Sequence, residues 1–279
     1  MKSSPLFSIL VANYNNSRYL PDCIESIFNQ KYSNWEVIFV DDSSSDASLD
    51  TIYQLCDSDK RFKIFQNKEN QGCGYTKNRC VSEATGAICG FLDPDDALSP
   101  LALIEMVQAH EQNPTASMTC SRHFVCNKNL TTIGLSPQIK IDDSGSLLAM
   151  PWAVSHFTAF KKAAYDKTDG INPLMKRAVD QDLYLKLEEI GEIAFIDSVL
   201  YYLRRNQNSI SLNENQYKAI GWHLFATMEA CKRRNLDFDD YCALLKSGKI
   251  KKIIYDPVIS MYTNFGLVKN LIMHNIQDH

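Results

Sequence analysis

The first 120 residues alternate short apolar runs rich in β-branched residues with longer stretches whose apolar residues recur at helical spacing. Strands are predicted at 7–12, 35–40, 61–65 and 87–92. Helices are predicted at 17–30, 46–56 and 75–84, and from Ser99-Pro100 to about 112. Strands and helices that alternate in this way predict an α/β fold with a parallel sheet covered by helices on both faces.

The remainder of the chain follows a less regular pattern. Short strands are predicted at 117–124, 156–160, 194–196 and 200–203, with one firm helix at 180–190. From residue 214 to the end the pattern is helical. We therefore expect an α/β domain over residues 1–211, with a first half to about 120 and a second half over 121–211, followed by a helical appendage over 212–279.

Composition and charge exclude several classes of protein. Hydrophobic residues make up 45% of the 279 residues and charged residues 22%, as in ordinary globular proteins. The net charge of −4 argues against a nucleic-acid partner. The longest apolar run, Leu147–Val154, contains Pro151 and is too short to span a bilayer. The first residues do not resemble a signal peptide, so we expect a cytoplasmic location.

The nine cysteines indicate a reduced protein. Their number is odd, none forms a C-x-x-C pair, and most lie within apolar segments. This pattern is typical of buried free thiols and does not favour a zinc site.

Carboxylates follow two of the predicted strands at the point where each strand ends. Asp41 and Asp42 follow the second strand, and three carboxylates, Asp93, Asp95 and Asp96, follow the fourth. The carboxyl ends of parallel strands form the ligand-binding edge of such a sheet. The second group of like charges favours a hard divalent cation, which also binds phosphate oxygens. Asp46, in contrast, is best interpreted as a helix cap.

A third acidic pair, Asp180 and Asp182, opens the predicted helix at 180–190. Carboxylates in a first turn are stabilised by the helix dipole, and the same position suits a general base. The segment Gly72-Cys73-Gly74-Tyr75-Thr76-Lys77 matches neither a dinucleotide fingerprint nor a P-loop, because Lys77 stands where the third glycine belongs and no Gly-Lys-Ser/Thr ending follows.

Six motifs in order resemble the inverting family 2 glycosyltransferases of GT-A fold. They are Val-Ala-Asn-Tyr-Asn (11–15), Val-Asp-Asp-Ser-Ser-Ser-Asp (40–46), Asn-Gln-Gly with Thr-Lys-Asn (70–72, 76–78), Leu-Asp-Pro-Asp-Asp (92–96), Asp-Gln-Asp-Leu-Tyr-Leu-Lys-Leu (180–187) and Asn-Ser-Ile-Ser (208–211). The resemblance spans about residues 6–211. It implies a Rossmann-like, mostly parallel sheet, a nucleotide-binding first half and an acceptor-binding second half.

The resemblance also implies a role for individual residues. The nucleotide-sugar contacts would be Ala12, Tyr14, Asn15, Asp41, Asp42, Lys77, Asp93 and Asp96. The ligands of a divalent Mn²⁺ or Mg²⁺ ion would be Asp95, Asp93 and Asp96. Asp180 would be the catalytic base, and the candidate acceptor or diphosphate contacts are Trp152, His156, Asp182, Arg204 and Asn206.

The implied reaction is transfer of a sugar from a nucleotide diphosphosugar, with a UDP-sugar expected, to an acceptor hydroxyl with inversion. The acceptor would be a glycan or a lipid-linked glycan in polysaccharide or glycoconjugate synthesis. The basic run Lys246–Lys252 suggests peripheral contact with the inner face of a membrane, and the C-terminal helices suggest a homodimer. The implied partners do not include a nucleic acid.

The sequence also departs from the family pattern. Ala12 and Asn13 replace the usual Pro or Thr, Lys77 replaces Arg, Val179 replaces Glu, and Asn206 replaces His. Lys77 keeps the charge of Arg without its bidentate fork. Two alternatives therefore stay open: a non-catalytic nucleotide-binding scaffold of the same fold, and a sugar nucleotidyltransferase, although the latter would need a glycine-rich loop that residues 11–17 do not provide.

Overall fold

The computed structural model describes residues 4–56, 58–137, 146–148, 154, 156–205 and 216–241. The strands are β1 (Phe7–Asn13), β2 (Trp35–Asp41), β3 (Phe62–Gln66), β4 (Ile88–Phe91), β5 (Ala97–Leu98), β6 (Ala116–Cys126), β7 (Thr132–Leu135), β8 (Thr158–Lys161) and β9 (Glu192–Arg204). The helices are α1 (Leu20–Phe28), α2 (Ser48–Cys56), α3 (Cys73–Glu83), α4 (Ala102–Gln112), α5 (Lys162–Tyr165), α6 (Val179–Glu188) and α7 (Gln216–Arg233).

Within these residues, nine strands form one sheet in the order β3-β2-β1-β4-β8-β6-β9-β5, with β7 paired to β6. The first four of these strands are parallel. Alternate residues of β1 enter two different cores: Ile9 packs with α1 and α2 on one face, and Leu10 packs with α3 on the other. A sheet buried on both faces explains the almost continuous apolar runs of β1 and β2. The predicted α/β fold is confirmed.

The second part of the sheet is mixed, whereas a mostly parallel sheet was expected. β8 runs antiparallel to both of its neighbours, β4 and β6. The segments predicted as two strands at 194–196 and 200–203 form the single strand β9, which is parallel to β6 and antiparallel to β5. β5 and β7 were not predicted, because β5 has two residues and β7 exposes Ile133 and Leu135 and so shows no burial alternation.

Helix α7 lies within the predicted C-terminal appendage and packs against α6. Ile220 and Leu224 of α7 belong to the same apolar cluster as Leu183 and Leu187 of α6. Burial of this shared face ties the helix to the element that carries Asp180. The rest of the predicted appendage, including Lys246–Lys252, lies outside the described residues.

A buried carboxylate joins the amino ends of β1 and β2. Glu36 accepts hydrogen bonds from the Ser8 hydroxyl at 2.6 Å and from the Thr85 backbone N–H at 2.7 Å, and Lys63 Nζ lies 2.7 Å from it. Burial alone would raise the pKa of Glu36, but these donors outweigh it and lower the pKa below its usual value. Gly86, which follows Thr85, has no room for a Cβ, because that atom would lie 2.5 Å from Ser8 Oγ.

The predicted free thiols are confirmed for the eight cysteines in the described parts of the chain, and all of these except Cys73 are buried. Burial raises the pKa of Cys56 to about 12, so its thiol is unreactive at neutral pH. None of the helices in the described residues combines the length and the apolar character needed to cross a membrane.

Candidate active site

The carboxyl ends of β1, β2 and β4 bring the first, second and fourth motifs to one edge of the sheet. Asn13 ends β1 in register with Asp41 at the end of β2. The loop that follows β4 carries Asp93, Asp95 and Asp96. Adjacent parallel strands therefore place the predicted donor-binding residues side by side, as expected for this class of sheet.

Asp41 holds the turn between β2 and α2. Its Oδ1 accepts hydrogen bonds from Asn13 Nδ2 at 2.8 Å and from the Ser44 hydroxyl at 2.6 Å, and its Oδ2 accepts from the Ser44 backbone N–H at 2.8 Å. Asp41 is fully buried. Its carboxylate thus fixes the first motif to the second. The Asn13 Oδ1 atom is buried without a hydrogen-bond partner among the described residues.

Asp42 holds the segment between β3 and α3. Its Oδ1 accepts from Asn67 Nδ2 at 2.7 Å and from the Gln71 N–H at 2.9 Å, and its Oδ2 accepts from the Gly72 N–H at 2.8 Å. A carboxylate has about four acceptor positions, so one on Oδ2 is left after these three bonds. Gly72 adopts φ of 91°, a conformation that favours glycine.

Asn67 is a site residue that the sequence analysis missed. It lies directly after β3 and is 4% exposed, with its amide bonded to Asp42. The signal that identified the other residues applies to it as well, since it follows the carboxyl end of a parallel strand. The motif at 70–72 marks the end of the loop after β3, whereas Asn67 lies at its start and outside every motif.

The first motif ends in a turn stabilised by a side chain. Asn15 has φ of 55°, and its Oδ1 accepts from the Ser45 N–H at 2.8 Å and the Asp46 N–H at 3.3 Å. Tyr14 stays 47% exposed at the edge of the sheet, while Ala12 is partly buried against the core. The ring of Tyr14 is therefore accessible to a planar ligand. Asp46 accepts from the Ser48 N–H and hydroxyl before α2, which confirms its capping role.

The three carboxylates after β4 differ in burial: Asp93 and Asp95 are partly exposed, and Asp96 is buried. The side chain of Asp93 is 33% exposed and Asp95 is partly buried. Asp96 is 2% exposed, and it accepts from the Tyr201 hydroxyl at 2.8 Å and from the Arg204 N–H at 2.6 Å. Burial, reinforced by the charges of Asp95 and Asp93, raises the pKa of Asp96 well above its usual value. Asp96, predicted with the metal and ribose ligands, is thus bonded to β9.

Tyr201 is a second residue that the sequence analysis missed. Its hydroxyl donates to Asp96 and accepts from the Asp93 N–H at 3.2 Å, and its ring stacks on His156 at 4.9 Å between centroids. A lone tyrosine in a strand carries no sequence signal for such a role. Through these two hydrogen bonds Tyr201 links the loop after β4 to β9.

Arg204 was predicted as a candidate diphosphate contact. In the structure its guanidinium donates hydrogen bonds to acceptors of the protein itself. The side chain is 2% exposed. Nε donates to the Asp95 carbonyl at 2.6 Å, Nη1 to the Lys128 carbonyl at 2.5 Å, and Nη2 to Asp22 at 2.7 Å. The guanidinium also lies 4.8 Å from the centre of the Tyr19 ring. In this arrangement its charge anchors the loop after β4 to β9 and α1.

Lys77 on α3 bridges two carboxylates that lie far apart in the chain, Asp180 and Asp93. Its Nζ lies 2.8 Å and 3.0 Å from the two oxygens of Asp180 and 3.5 Å from Asp93 Oδ1. Burial alone would lower the pKa of Lys77, but Asp180 and Asp93 outweigh it and raise the pKa well above the usual range. Burial likewise opposes ionisation of Asp93, whereas Lys77 and His156 lower its pKa overall. Lys77 and Asp93 are therefore both charged at neutral pH.

A close backbone contact sets the distance between Lys77 and Asp180. Gly74 in the first turn of α3 donates its N–H to the Met175 carbonyl at 2.9 Å. A Cβ at Gly74 would lie 2.4 Å from that oxygen, so only glycine fits. Ala178, directly before α6, has φ of 54°, which is unusual for a residue with a side chain. These features place Asp180 in the first turn of α6, facing α3.

The remaining candidate acceptor contacts lie in different places. Asp182 is buried and pairs with Lys186 at 2.7 Å, and Lys186 also donates to the Gly170 carbonyl. His156 Nε2 lies 3.9 Å from Asp93 Oδ2, at the site. Trp152 and Asn206 lie outside the described residues.

His223 on α7 is a further residue that is influenced by the charge of Asp180. Burial lowers the pKa of His223 to about 4, and the charge of Asp180 opposes this shift. Its Nδ1 is buried without a hydrogen-bond partner among the described residues. The imidazole is therefore neutral at physiological pH. The sequence analysis assigned α7 only to an appendage, and the proximity arises because α7 packs on α6.

The donor set at this edge fits a divalent cation that also binds phosphate. Within the described residues, no three His, Cys, Asp or Glu side chains are arranged as a complete metal site. Asp93 and Asp95 are the two carboxylates of this loop that are less buried than Asp96. Mg²⁺ and similar ions are commonly held by one or two carboxylates together with substrate phosphates and water. These residues therefore suit a metal that arrives with a diphosphate rather than one held by the protein alone.

Comparison with known proteins agrees with this geometry. Chondroitin synthase of Pasteurella multocida (strain Pm70) is 27% identical over 286 residues, covering 96% of this chain and 27% of that protein, so the chain spans about a quarter of its length. S. aureus TarS 1–349, solved with UDP-GlcNAc, superposes with a TM-score of 0.67 at 18% identity, covering 92% of this chain and 79% of that one.

A mannosyltransferase from Pyrobaculum calidifontis, solved with GDP-Man and Mn²⁺, superposes with a TM-score of 0.59 at 16% identity, covering 99% of this chain and 88% of that one. These structures share the GT-A fold. The sequence model described as glycosyl transferase family 2 matches residues 8–170, more than half of the chain. The chain therefore belongs to glycosyltransferase family 2.

Proposed function

We propose that this protein transfers a sugar from a nucleotide diphosphosugar, a UDP-sugar, to a hydroxyl of a growing glycan, with inversion at the anomeric carbon. The observation that carries the proposal is that Asp180 and Asp93 lie 2.8 Å and 3.5 Å from the same ammonium group, that of Lys77, at the carboxyl-end edge of the sheet. Support comes from the family membership and from the UDP-GlcNAc complex of TarS.

Asp180 is the proposed base. Its side chain is 31% exposed, so an acceptor hydroxyl can reach it. The carboxylate takes the proton of that hydroxyl as the oxygen attacks the anomeric carbon and the diphosphate leaves. General-base catalysis of this kind contributes roughly 10²- to 10⁴-fold. One base and one displacement give inversion without a covalent intermediate.

The donor binds along the ends of β1 and β2. The exposed ring of Tyr14 stacks along the nucleobase, and the fourth acceptor position of Asp42 accepts a hydrogen bond from a nucleobase N–H or a ribose hydroxyl. Asn67 and Gln71 hold that carboxylate in place. Asp41 acts through the turn that it stabilises and through Asn13.

Asp95 and Asp93 are the proposed ligands of Mn²⁺ or Mg²⁺. The ion, when bound, offsets the negative charge that develops on the leaving diphosphate. A neighbour of the same fold is solved with Mn²⁺, which supports this assignment. Arg204 contributes indirectly, because it fixes the backbone of Asp95.

The acceptor is proposed to be a polysaccharide or a lipid-linked glycan, by similarity to a chondroitin synthase. We place acceptor binding on the second half of the α/β domain, between β8 and α6. Peripheral membrane contact and dimerisation through residues 212–279 remain proposals.

Calorimetric titration of UDP, GDP, CMP and dTDP tests the donor site. We expect one nucleoside diphosphate, UDP, to bind in Mn²⁺ and to lose affinity in EDTA. Asp95→Asn should weaken that metal-dependent binding. Absence of binding by all four nucleotides would refute the proposal and favour a non-catalytic scaffold.

Transfer from UDP-sugars tests the base. We expect Asp180→Asn to lower transfer by roughly 10²-fold or more, because the acceptor hydroxyl loses its proton acceptor. Asp169→Asn, an exposed carboxylate on the loop before α6, is the matched control and should transfer normally. Wild-type rates in Asp180→Asn would exclude Asp180 as the base.

A further inference from the structure

The ammonium group of Lys77 contacts two carboxylates, those of Asp180 and Asp93. Its ammonium group bonds both oxygens of Asp180, at 2.8 Å and 3.0 Å, and approaches Asp93 at 3.5 Å. Lys77 is 5% exposed, and its Nζ lies 4.8 Å from the centre of the Phe91 ring. Both carboxylate oxygens of the proposed base are therefore engaged by a buried cation.

We propose that Lys77 holds Asp180 before the donor binds and exchanges it for the diphosphate of the donor, so that donor binding frees the carboxylate oxygens of Asp180 from their hydrogen bonds. This inference rests on the proposed function. Asp180 and the diphosphate then compete for one ammonium group. Lys77 acts by hydrogen-bonding both oxygens of Asp180 and is therefore a positioning residue. Asp180 is the group that takes the proton.

The number of donors on Lys77 carries the argument. An ammonium group has three N–H donors and no acceptor. In the structure these donors face the two oxygens of Asp180 and the carboxylate of Asp93. A diphosphate beside Asp93 can gain a direct bond from Lys77 only if one of these contacts breaks. The contact with Asp93 is the longest, but Asp93 is also a proposed metal ligand.

Lysine suits such an exchange better than arginine. Its compact charge sits on a flexible four-carbon stem, whereas the planar guanidinium of arginine holds a carboxylate through a rigid fork. The Asp180 side chain is about one third exposed, so releasing it leaves a hydrated carboxylate rather than a buried one. The exchange therefore does not leave the carboxylate of Asp180 buried without a partner charge.

Competition for one cation predicts a reciprocal coupling that can be measured. In wild type, diphosphate binding must displace Asp180 from Lys77. Asp180→Asn removes this competitor. We expect UDP with Mn²⁺ to bind Asp180→Asn tighter than wild type, on the order of tenfold, which equals about 1.4 kcal/mol.

A double-mutant cycle tests whether Lys77 transmits the effect. Isothermal calorimetry of UDP with Mn²⁺ is performed on wild type, Asp180→Asn, Lys77→Met and the double variant, with Asp169→Asn as the matched control. Lys77→Met should weaken UDP binding. In that background, Asp180→Asn should produce no gain. Lys77→Gln replaces Lys77→Met if thermal unfolding shows that the methionine variant does not fold.

The outcomes separate the inference from the proposed function. Unchanged or weaker UDP binding by Asp180→Asn would overturn the exchange. A gain that persists without Lys77 would also overturn it, because the charge of Asp180 would then act directly on the nucleotide. Failure of wild type to bind any nucleoside diphosphate would instead refute the proposed function.

Discussion

Replacing Gly74 by alanine should damage the active site through a single methyl group. The new Cβ would lie 2.4 Å from the Met175 carbonyl oxygen and 2.6 Å from that of Asn172. Both are backbone atoms, which cannot rotate away. The contact must open by at least about 0.6 Å to reach the shortest distance that real Cβ atoms show, 3.0 Å. Helix α3 and the segment before α6 therefore move apart.

This displacement has two expected consequences. Overpacking of a close contact costs about 1–3 kcal/mol of folding stability. Lys77 and Asp180 lie on the two elements that separate, and a misplacement of about 1 Å at a reacting group can cost on the order of 10²-fold in rate. The displacement of about 0.6 Å is smaller than 1 Å. We therefore expect sugar transfer by Gly74→Ala to fall by about tenfold or more.

Urea denaturation and the initial rate of transfer measure the two effects. Gly221→Ala on α7 is the matched control, because nothing lies within 4 Å of its added Cβ. That substitution should stabilise the protein by about 0.5–1 kcal/mol through helix propensity and leave transfer unchanged. If Gly74→Ala matches wild type in both stability and rate, the argument from the backbone contact is refuted.

Arg204→Met should lower the free energy of unfolding by about 3 kcal/mol, because the carbonyls of Asp95 and Lys128 lose their donor. A loss below about 1 kcal/mol in urea denaturation would contradict the anchoring role. Asp182→Asn leaves the buried ammonium of Lys186 without its partner charge and should cost about 3–5 kcal/mol. The double variant with Lys186→Met should recover most of that loss, and no recovery would argue against the pair. Glu36 has a lowered pKa, so the stability that it contributes is present above its usual value of 4.5 and is lost as the pH falls through the folded-state pKa. Unfolding free energies measured between about pH 3 and pH 6 should therefore depend less on pH in Glu36→Gln than in wild type, and equal slopes would refute this.

The sequence predicted the parallel half of the fold and the carboxylates at its edge, because both follow from local patterns. Asp93 and Asp180 are 87 positions apart in the chain, yet each directly follows or opens a regular element. The contacts of Arg204 and Tyr201 were beyond sequence reasoning, since they depend on β9 pairing antiparallel to β5. No periodicity reports that pairing. Asn67 could have been predicted by the rule that identified Asp42.

The reversal of strand direction between β4 and β8 separates two tasks within one sheet. Residues proposed to hold the donor lie on the parallel half, and those proposed to face the acceptor lie beyond the reversal. Substitutions beyond the reversal can therefore alter the proposed acceptor surface while the proposed nucleotide site stays intact. Lys77 and Asp180 span the boundary. Chimeras that exchange the two halves between relatives must carry these two residues as a matched pair.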